Sequence, residues 1–301
     1  MRRRQDGVAL VLVLWAITLL AVIAGNFAFS MRSEAQIARN LVSSAQVRAL
    51  ADAGIQRAWL ELMKPPADPL RWQANGSAHE FTFQGGVIRV VLEDESGKID
   101  LNSTSDALLK GLFVSAGLSE DASASLLDAV LDWRDADKLK RLHGAEEEDY
   151  RAAGKSYGPS DAPFETVDEL QRVLGMTSEL YRKLAPALTV YSKQPGVNTA
   201  VASREVLLAI PGVNPAMVDQ YLAQRQGTIA TDQKPLPFPG AGAFESGATA
   251  VPVYTARSEA KLPDGTVFVR SAVARLAQDP RRPVTVLGWG DGEAEHRTGT
   301  Q

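Results

Sequence analysis

The chain has 301 residues, with 32 Lys and Arg against 36 Asp and Glu and a formal net charge of −4. A mildly acidic chain is a poor candidate for binding nucleic acid, because that affinity rests on neutralising phosphates. The absence of Cys excludes disulfides, thiol catalysis and thiolate metal sites, while 45% hydrophobic residues leave room for one large or two ordinary domains plus a membrane element.

The basic leader Arg2-Arg3-Arg4-Gln5-Asp6 ends in Gly7, and an uncharged apolar run from Val8 to Met31 follows. As a helix this run measures about 36 Å, enough to cross a hydrocarbon core of roughly 30 Å. The three Arg place the N-terminus in the cytoplasm and everything after Met31 outside. No Pro interrupts the next stretch to Lys64, where Ile37, Leu41, Leu50, Ile55, Trp59 and Leu62 recur with Ala45, Ala51 and Ala58 at helical spacing. One helix is therefore predicted over 8–64, apolar all round in its first half and amphipathic in its second. Pro65-Pro66 stops it. A cleaved secretory signal would need a shorter apolar core and a small-x-small site, which Asn26-Phe27-Ala28-Phe29-Ser30 fits poorly. From these residues alone, a plain signal anchor and an assembly helix both stay open.

A glycine-ended leader before a helix of this kind resembles the type IV pilin superfamily. The resemblance implies cleavage between Gly7 and Val8 by a prepilin peptidase and N-methylation of Val8. The family motif has Glu at the fifth mature position, where this sequence has Leu12. That departure is similar to the K-type minor pseudopilins of type II secretion, which lack the Glu. In the family this Glu is thought to neutralise the N-terminal amine of the subunit above. An unpaired carboxylate in an apolar bundle costs several kcal/mol, so a subunit without it can sit first in a fibre, with nothing above it.

Pro65 to Pro69 reads as a linker. Glu80-Phe81-Thr82-Phe83 and Val87 to Leu92 flank Gln84-Gly85-Gly86, a hairpin pattern. Glu93-Asp94-Glu95-Ser96-Gly97-Lys98-Ile99-Asp100-Leu101-Asn102 then resembles a D-E-x-G-K stretch of the K-type pseudopilins. From Ser105 to about Tyr191 the apolar period becomes helical. Leu170 to Leu180 is similar to Leu207 to Met217, offset by 37 residues, with a fainter copy at Leu112 to Ser119. Each reads as helix, Gly-centred turn, and a Ser, Thr or Asn cap opening a second helix. Helix-hairpin-helix units of this shape bind DNA phosphates in repair proteins. These turns carry no close Lys or Arg, so a packing role is expected. Gln233 to Gly247 reads as a long loop. Val251 to Ala260 and Thr266 to Leu276 flank the turn Leu262-Pro263-Asp264-Gly265, and Pro283 to Trp289 can add a strand.

One acidic constellation stands out. Asp132-Trp133-Arg134-Asp135-Ala136-Asp137 is followed by Gly144-Ala145-Glu146-Glu147-Glu148-Asp149-Tyr150. Carboxylates at this density suit calcium, which takes six to eight oxygens. Leu139 at the third ligand position rules out an EF-hand, and a solvated acidic loop is the plainer alternative. The block resembles the calcium-binding helical domain of K-type pseudopilins. That implies Asp132, Asp135, Asp137, Glu146 and Glu148 as ligands, with Glu147 and Asp149 less securely placed. Catalysis has little support: His79, His143 and His296 are scattered, and no nucleophile elbow, phosphate loop or zinc-protease motif occurs.

The expected fold is α+β. A long N-terminal transmembrane helix packs on an antiparallel, pilin-like sheet, and an inserted all-helical domain carries the helix-hairpin-helix-like units. The expected boundaries are a leader at 1–7, the helix at 8–64, a first sheet segment at 65–104, the inserted helical domain at 105–192, the remaining pseudopilin domain at 193–290 and a flexible tail at 291–301. The resemblance implies a non-enzymatic tip subunit of a type II secretion pseudopilus, single-pass in the bacterial inner membrane with its C-terminal domain periplasmic. The implied partners are the minor pseudopilins I and J, the major pseudopilin, the prepilin peptidase and the inner-membrane assembly platform. Another class of reading is a signal-anchored periplasmic protein stabilised by calcium, or an enzyme whose site the sequence does not display.

Overall fold

The computed structural model describes residues 6–65, 68–230, 237–249, 251–277, 279 and 281–292. Met1 to Gln5 of the leader, Pro66 and Ala67 of the linker, 231–236 of the expected loop and 293–301 of the expected tail lie outside the described residues.

Helix α1 (Asp6–Leu62) is continuous, as the lack of Pro predicts. Beyond Leu62 the chain turns back, and the Arg71 guanidinium donates to the Leu62 carbonyl, satisfying an end that has no further helical donor. Strands β1 (Asn75–Phe83) and β2 (Gly86–Asp94) form the first hairpin. A short β3 (Ile99–Asp100) pairs in parallel with β4 (Leu188–Thr189). Strands β5 (Val253–Lys261), β6 (Val267–Leu276) and β7 (Val284–Asp291) complete the main sheet, which is antiparallel and ordered β1-β2-β5-β6-β7. With residues 95–252 set aside, this order is a plain meander: Asp94 at the end of β2 stands opposite Tyr254 at the start of β5.

Two hydrophobic cores result. In the first, Val47, Leu50, Ala51, Ile55, Ala58, Trp59 and Leu62 of α1 cover the inward residues Ile88, Val90 and Leu92 of β2, Ala256 and Ala260 of β5, and Ala272 and Ala274 of β6. The alternation along β2 follows from its period of two. At Gly54, a Cβ would lie 2.0 Å from Ser258 Oγ, so glycine lets α1 settle onto the central strand.

Ile37 and Leu41, expected on the packed stripe, are exposed. The sheet ends too soon to reach them. Ser43 already meets Asp264 in the β5–β6 turn, and Gln46 meets the Gln84 carbonyl in the β1–β2 turn.

The second core belongs to the helical block, comprising α2 (Asp106–Ser115), α3 (Glu120–Arg134), α4 (Glu147–Ala152), α5 (Ser178–Leu184), α6 (Arg204–Leu208) and α7 (Pro215–Ala230). This corrects the expected boundaries of 105–192 and 193–290. Ile99 and Leu101 before the range, and Val206, Leu207, Val218, Tyr221, Phe238 and Ala241 after it, all pack into the same core. The expected loop contributes a 3-10 turn at Gly242–Phe244 rather than running free.

All three helix-turn-helix patterns are built alike. Gly117, Gly175 and Gly212 take φ of +103°, +89° and +82°, which L side chains rarely adopt. Ser119, Thr177 and Asn214 then accept from the amides of Ala122, Leu180 and Met217. In the middle copy the first helix is a 3-10 turn, Val167–Arg172. The arginines flanking the third copy are internally engaged. Arg225 donates to the carbonyls of Thr199 and Ala202, and Arg204 pairs with Asp219.

Candidate metal centre and membrane anchor

The acidic constellation hangs from the C-terminal end of α3. Asp132 is wholly buried on the last turn, beside the buried Trp133. Its carboxylate accepts the Arg141 amide at 3.2–3.4 Å and the Ala145 amide, so the intervening loop folds back over it. This contact explains the Gly144-Ala145 half of the motif: a Cβ at Gly144 would lie 1.9 Å from Asp132 Oδ2. The Arg141 guanidinium also reaches Asp132 at 3.3 Å and Asp135 at 3.4 Å.

Glu146 opens α4 and faces the same space. Burial, then the carboxylates of Asp132, Asp161, Asp135 and Asp137, raise its pKa above the ordinary carboxylate value. Asp132 is raised as well, first by burial and also by Asp135. Asp135 Oδ1, Glu146 Oε1 and Asp161 Oδ1 are buried and have no hydrogen-bond partner. Among the described residues, no three acidic or histidine side chains already stand close enough to share one ion.

The remaining sequence candidates are placed differently. Asp137 is exposed and accepts the Leu139 amide. Glu147 pairs with Arg151 at 2.7 Å, and Glu148 is exposed on the first turn of α4. Asp149 accepts the Glu146 amide at 2.9 Å and pairs with Lys140 at 2.5 Å, which holds its pKa below the usual range. Its reciprocal cap on α4 accounts for its conformation without a metal. Asp161, in the turn at 158–164 and not assigned as a ligand from the sequence, takes φ of +51° and brings its carboxyl toward Glu146.

Below this loop, the Asp94–Asn102 stretch joins the two cores. Glu95 is 2% exposed. Its carboxylate accepts from Thr189 in the helical block, from Thr255 of β5 at 2.7 Å and from Lys98 at 2.8 Å. Burial opposes the charge on Lys98, but Glu95 and Glu93 outweigh it and hold the ammonium above its ordinary pKa. Asp100 accepts the amides of Asn102, Ser103 and Lys193. Asn102 pairs both its amide atoms with the Phe164 backbone at 2.8–2.9 Å.

At the opposite end, α1 is exposed from Ala9 to Val42 and uncharged from Ala9 to Met31, and by length and composition it can cross a membrane once. Gly7 and Val8 lie in its first turn, and Leu12 is exposed on it. Because β2 runs from Gly86, beside Leu50, to Asp94, the helical block leaves the sheet at the end farther from this apolar segment. Of the histidines, His79 stacks on Trp72 with ring centres 4.4 Å apart, His143 is exposed, and His296 lies outside the described residues.

A family model described as type II secretion system (T2SS), protein K, matches residues 90–193, which include the junction and the acidic loop. The chain is 26% identical over 246 residues to the type II secretion system protein K of Pseudomonas aeruginosa, covering 75% of this chain and 74% of that protein. It is 28% identical over 234 residues to the protein of that name from Klebsiella pneumoniae, covering 69% and 71%. The structure resembles a chain of the GspK-GspI-GspJ complex from the type 2 secretion system of enterotoxigenic Escherichia coli. The TM-score is 0.56 at 19% identity, over 88% of this chain and 99% of that one, which establishes a shared fold. The matched segment, the relatives aligned over most of the chain and the common fold agree in one similarity, to the type II secretion system protein K.

Proposed function

We propose that the chain is the minor pseudopilin at the tip of a type II secretion pseudopilus, without enzymatic activity of its own. It is inserted once in the bacterial inner membrane, cut between Gly7 and Val8, N-methylated at Val8, and held with its folded domain in the periplasm. It assembles with minor pseudopilins I and J, and then with the major pseudopilin on the inner-membrane platform, to support export across the outer membrane. The observation carrying this reading is one helix that is apolar and free at one end and docked on a meander sheet at the other, with a bulky block beyond the sheet. Such a block obstructs stacking in a shaft and is tolerated at an end. Leu12 agrees, since it needs no amine above it.

Processing supplies the test. Coexpressed with a prepilin peptidase, the chain is expected to lose its residue 1–7 leader, read by intact mass, and to gain a methyl group. Gly7→Glu should leave the leader in place. An unprocessed wild-type chain would count against the pseudopilin reading and favour a signal-anchored protein.

We further infer that the acidic loop holds calcium. The three buried, donor-free oxygens of Asp135, Glu146 and Asp161 suit a hard cation, as does the full burial of Asp132. Asp132, Asp135 and Glu146 would hold the ion with help from Asp161. Asp137 and Glu148 would reach it from exposed positions. Bound calcium would add positive charge to a set in which Arg141 reaches Asp132 and Asp135.

The pH dependence follows from the raised pKa values of Glu146 and Asp132. In the metal-free protein these groups bind protons more tightly folded than unfolded. Their ionisation therefore destabilises the fold as pH rises from the ordinary carboxylate value through the raised one. The rise in Tm caused by calcium over chelator should be larger at neutral pH than at a pH within that raised window, where protons compete for the same oxygens. An equal rise at both pH values, or none at either, would reject the site.

A further inference from the structure

We propose that Arg141 is a built-in counterion of the acidic loop, holding Asp132 and Asp135 in the metal-free chain and competing with calcium for them. This rests on the calcium reading above. The Arg141 guanidinium reaches back from the loop to two carboxylates at the end of α3, Asp132 on its last turn and Asp135 at its C-cap, at 3.3 and 3.4 Å. It satisfies one Asp135 oxygen while the other stays buried without a donor. Arg141 thus faces an acidic set of Asp132, Asp135, Asp137, Glu146 and Asp161, while Arg134, which also interacts with Asp135, donates to the Leu101 carbonyl and Lys138 lines the groove beside Glu146. Lys140, the neighbour of Arg141, is engaged elsewhere with Asp149.

Two properties of the segment let this side chain leave without unfolding the loop. The backbone is fixed independently: the Arg141 amide is held by Asp132, and the His143 amide by Asp128 at 3.0 Å. The apolar side chains nearby are not anchored in the core, since Leu139 and Leu142 are 77% and 86% exposed. Arg141 can therefore swing outward while the turn over Asp132 stays formed. A cation entering among these carboxylates repels the guanidinium and takes over its partners, and the released Arg141 adds a positive charge to the outer surface of the loop. The residue therefore lowers calcium affinity and supports the metal-free fold.

Calorimetric titration of calcium into the full chain in detergent micelles, with thermal melts in chelator and in calcium, tests this. Arg141→Gln keeps the amide that Asp132 accepts and removes the charge. It should bind calcium on the order of fivefold tighter, as expected for removing a competing, partly exposed ion pair. Its melting temperature should fall in chelator and match wild type in calcium. Arg141→Lys, with a point charge in place of the fork, should lie between them, and it decides the question if Arg141→Gln does not fold. Wild type that takes up calcium while the Arg141 variants bind equally or more weakly would overturn the counterion role alone. Wild type that takes up no calcium would overturn the calcium reading and this role with it.

Discussion

Glu95→Ala is expected to cost about 3–5 kcal/mol of unfolding free energy, the range for breaking a buried charge pair by removing one partner. Glu95 is 2% exposed and its carboxylate accepts from both cores and from Lys98, so its loss strands two threonine hydroxyls and takes one of two carboxylates from Lys98. Lys98 keeps Glu93, which limits the damage to the ammonium. Thr189 and Thr255 have no such substitute among the contacts described. Glu95→Gln should fall between the variant and wild type, since it keeps an acceptor and loses the charge. Urea unfolding followed by far-ultraviolet circular dichroism measures the difference. A midpoint for Glu95→Ala within error of wild type would remove Glu95 as the tie between sheet and helical block.

Gly111→Ala reverses a familiar sign. Inside an ordinary helix, replacing Gly by Ala gains about 1 kcal/mol. Gly111 lies in α2, and a Cβ there would stand 2.0 Å from the Ala209 carbonyl oxygen and 3.0 Å from its carbon, just past the end of α6. Both atoms are backbone, so no rotamer change relieves the overlap, and the first and third helix-turn-helix units must separate. A loss of about 3 kcal/mol is expected, at the upper end of what overpacking usually costs. Gly227→Ala in α7 is the matched control, because nothing lies within 4 Å of its Cβ position. That control should be neutral or slightly stabilising in the same urea experiment. Equal stability of the two variants would show that the helices tolerate a wider spacing.

Much of the architecture is legible because it is local. The absence of Pro from Val8 to Lys64 dictates α1, and two Gly-containing turns between alternating segments dictate the hairpins. Each positive-φ glycine followed by a Ser, Thr or Asn cap marks a helix-turn-helix unit without any alignment. The extent of the helical block is not legible in this way. Isolated apolar residues such as Phe238 and Ala241 carry no period, and α6 has only five residues. Glu95 sits in an acidic run that looks like a solvated turn. Its burial depends on Thr189 and Thr255, far along the chain. At the acidic loop, the resemblance implies Asp132, Asp135, Asp137, Glu146 and Glu148, of which Asp137 and Glu148 are exposed in the fold. The spacing cannot separate them from Asp149, whose oxygens serve a helix cap and a lysine, nor recruit Asp161 from a separate turn.

The meander interrupted between Asp94 and Tyr254 has a kinetic consequence. The pairing of β2 with β5 holds the middle of the sheet, yet it must close a loop of roughly 160 residues, which for a flexible chain costs about 4–5 kcal/mol of entropy. Once the helical block has folded, the parallel pairing of Ile99–Asp100 with Leu188–Thr189 has already drawn much of that loop together. The helices should therefore acquire protection from hydrogen exchange before the central strands do. The sheet, though the chain reaches its first half earlier, completes its centre last.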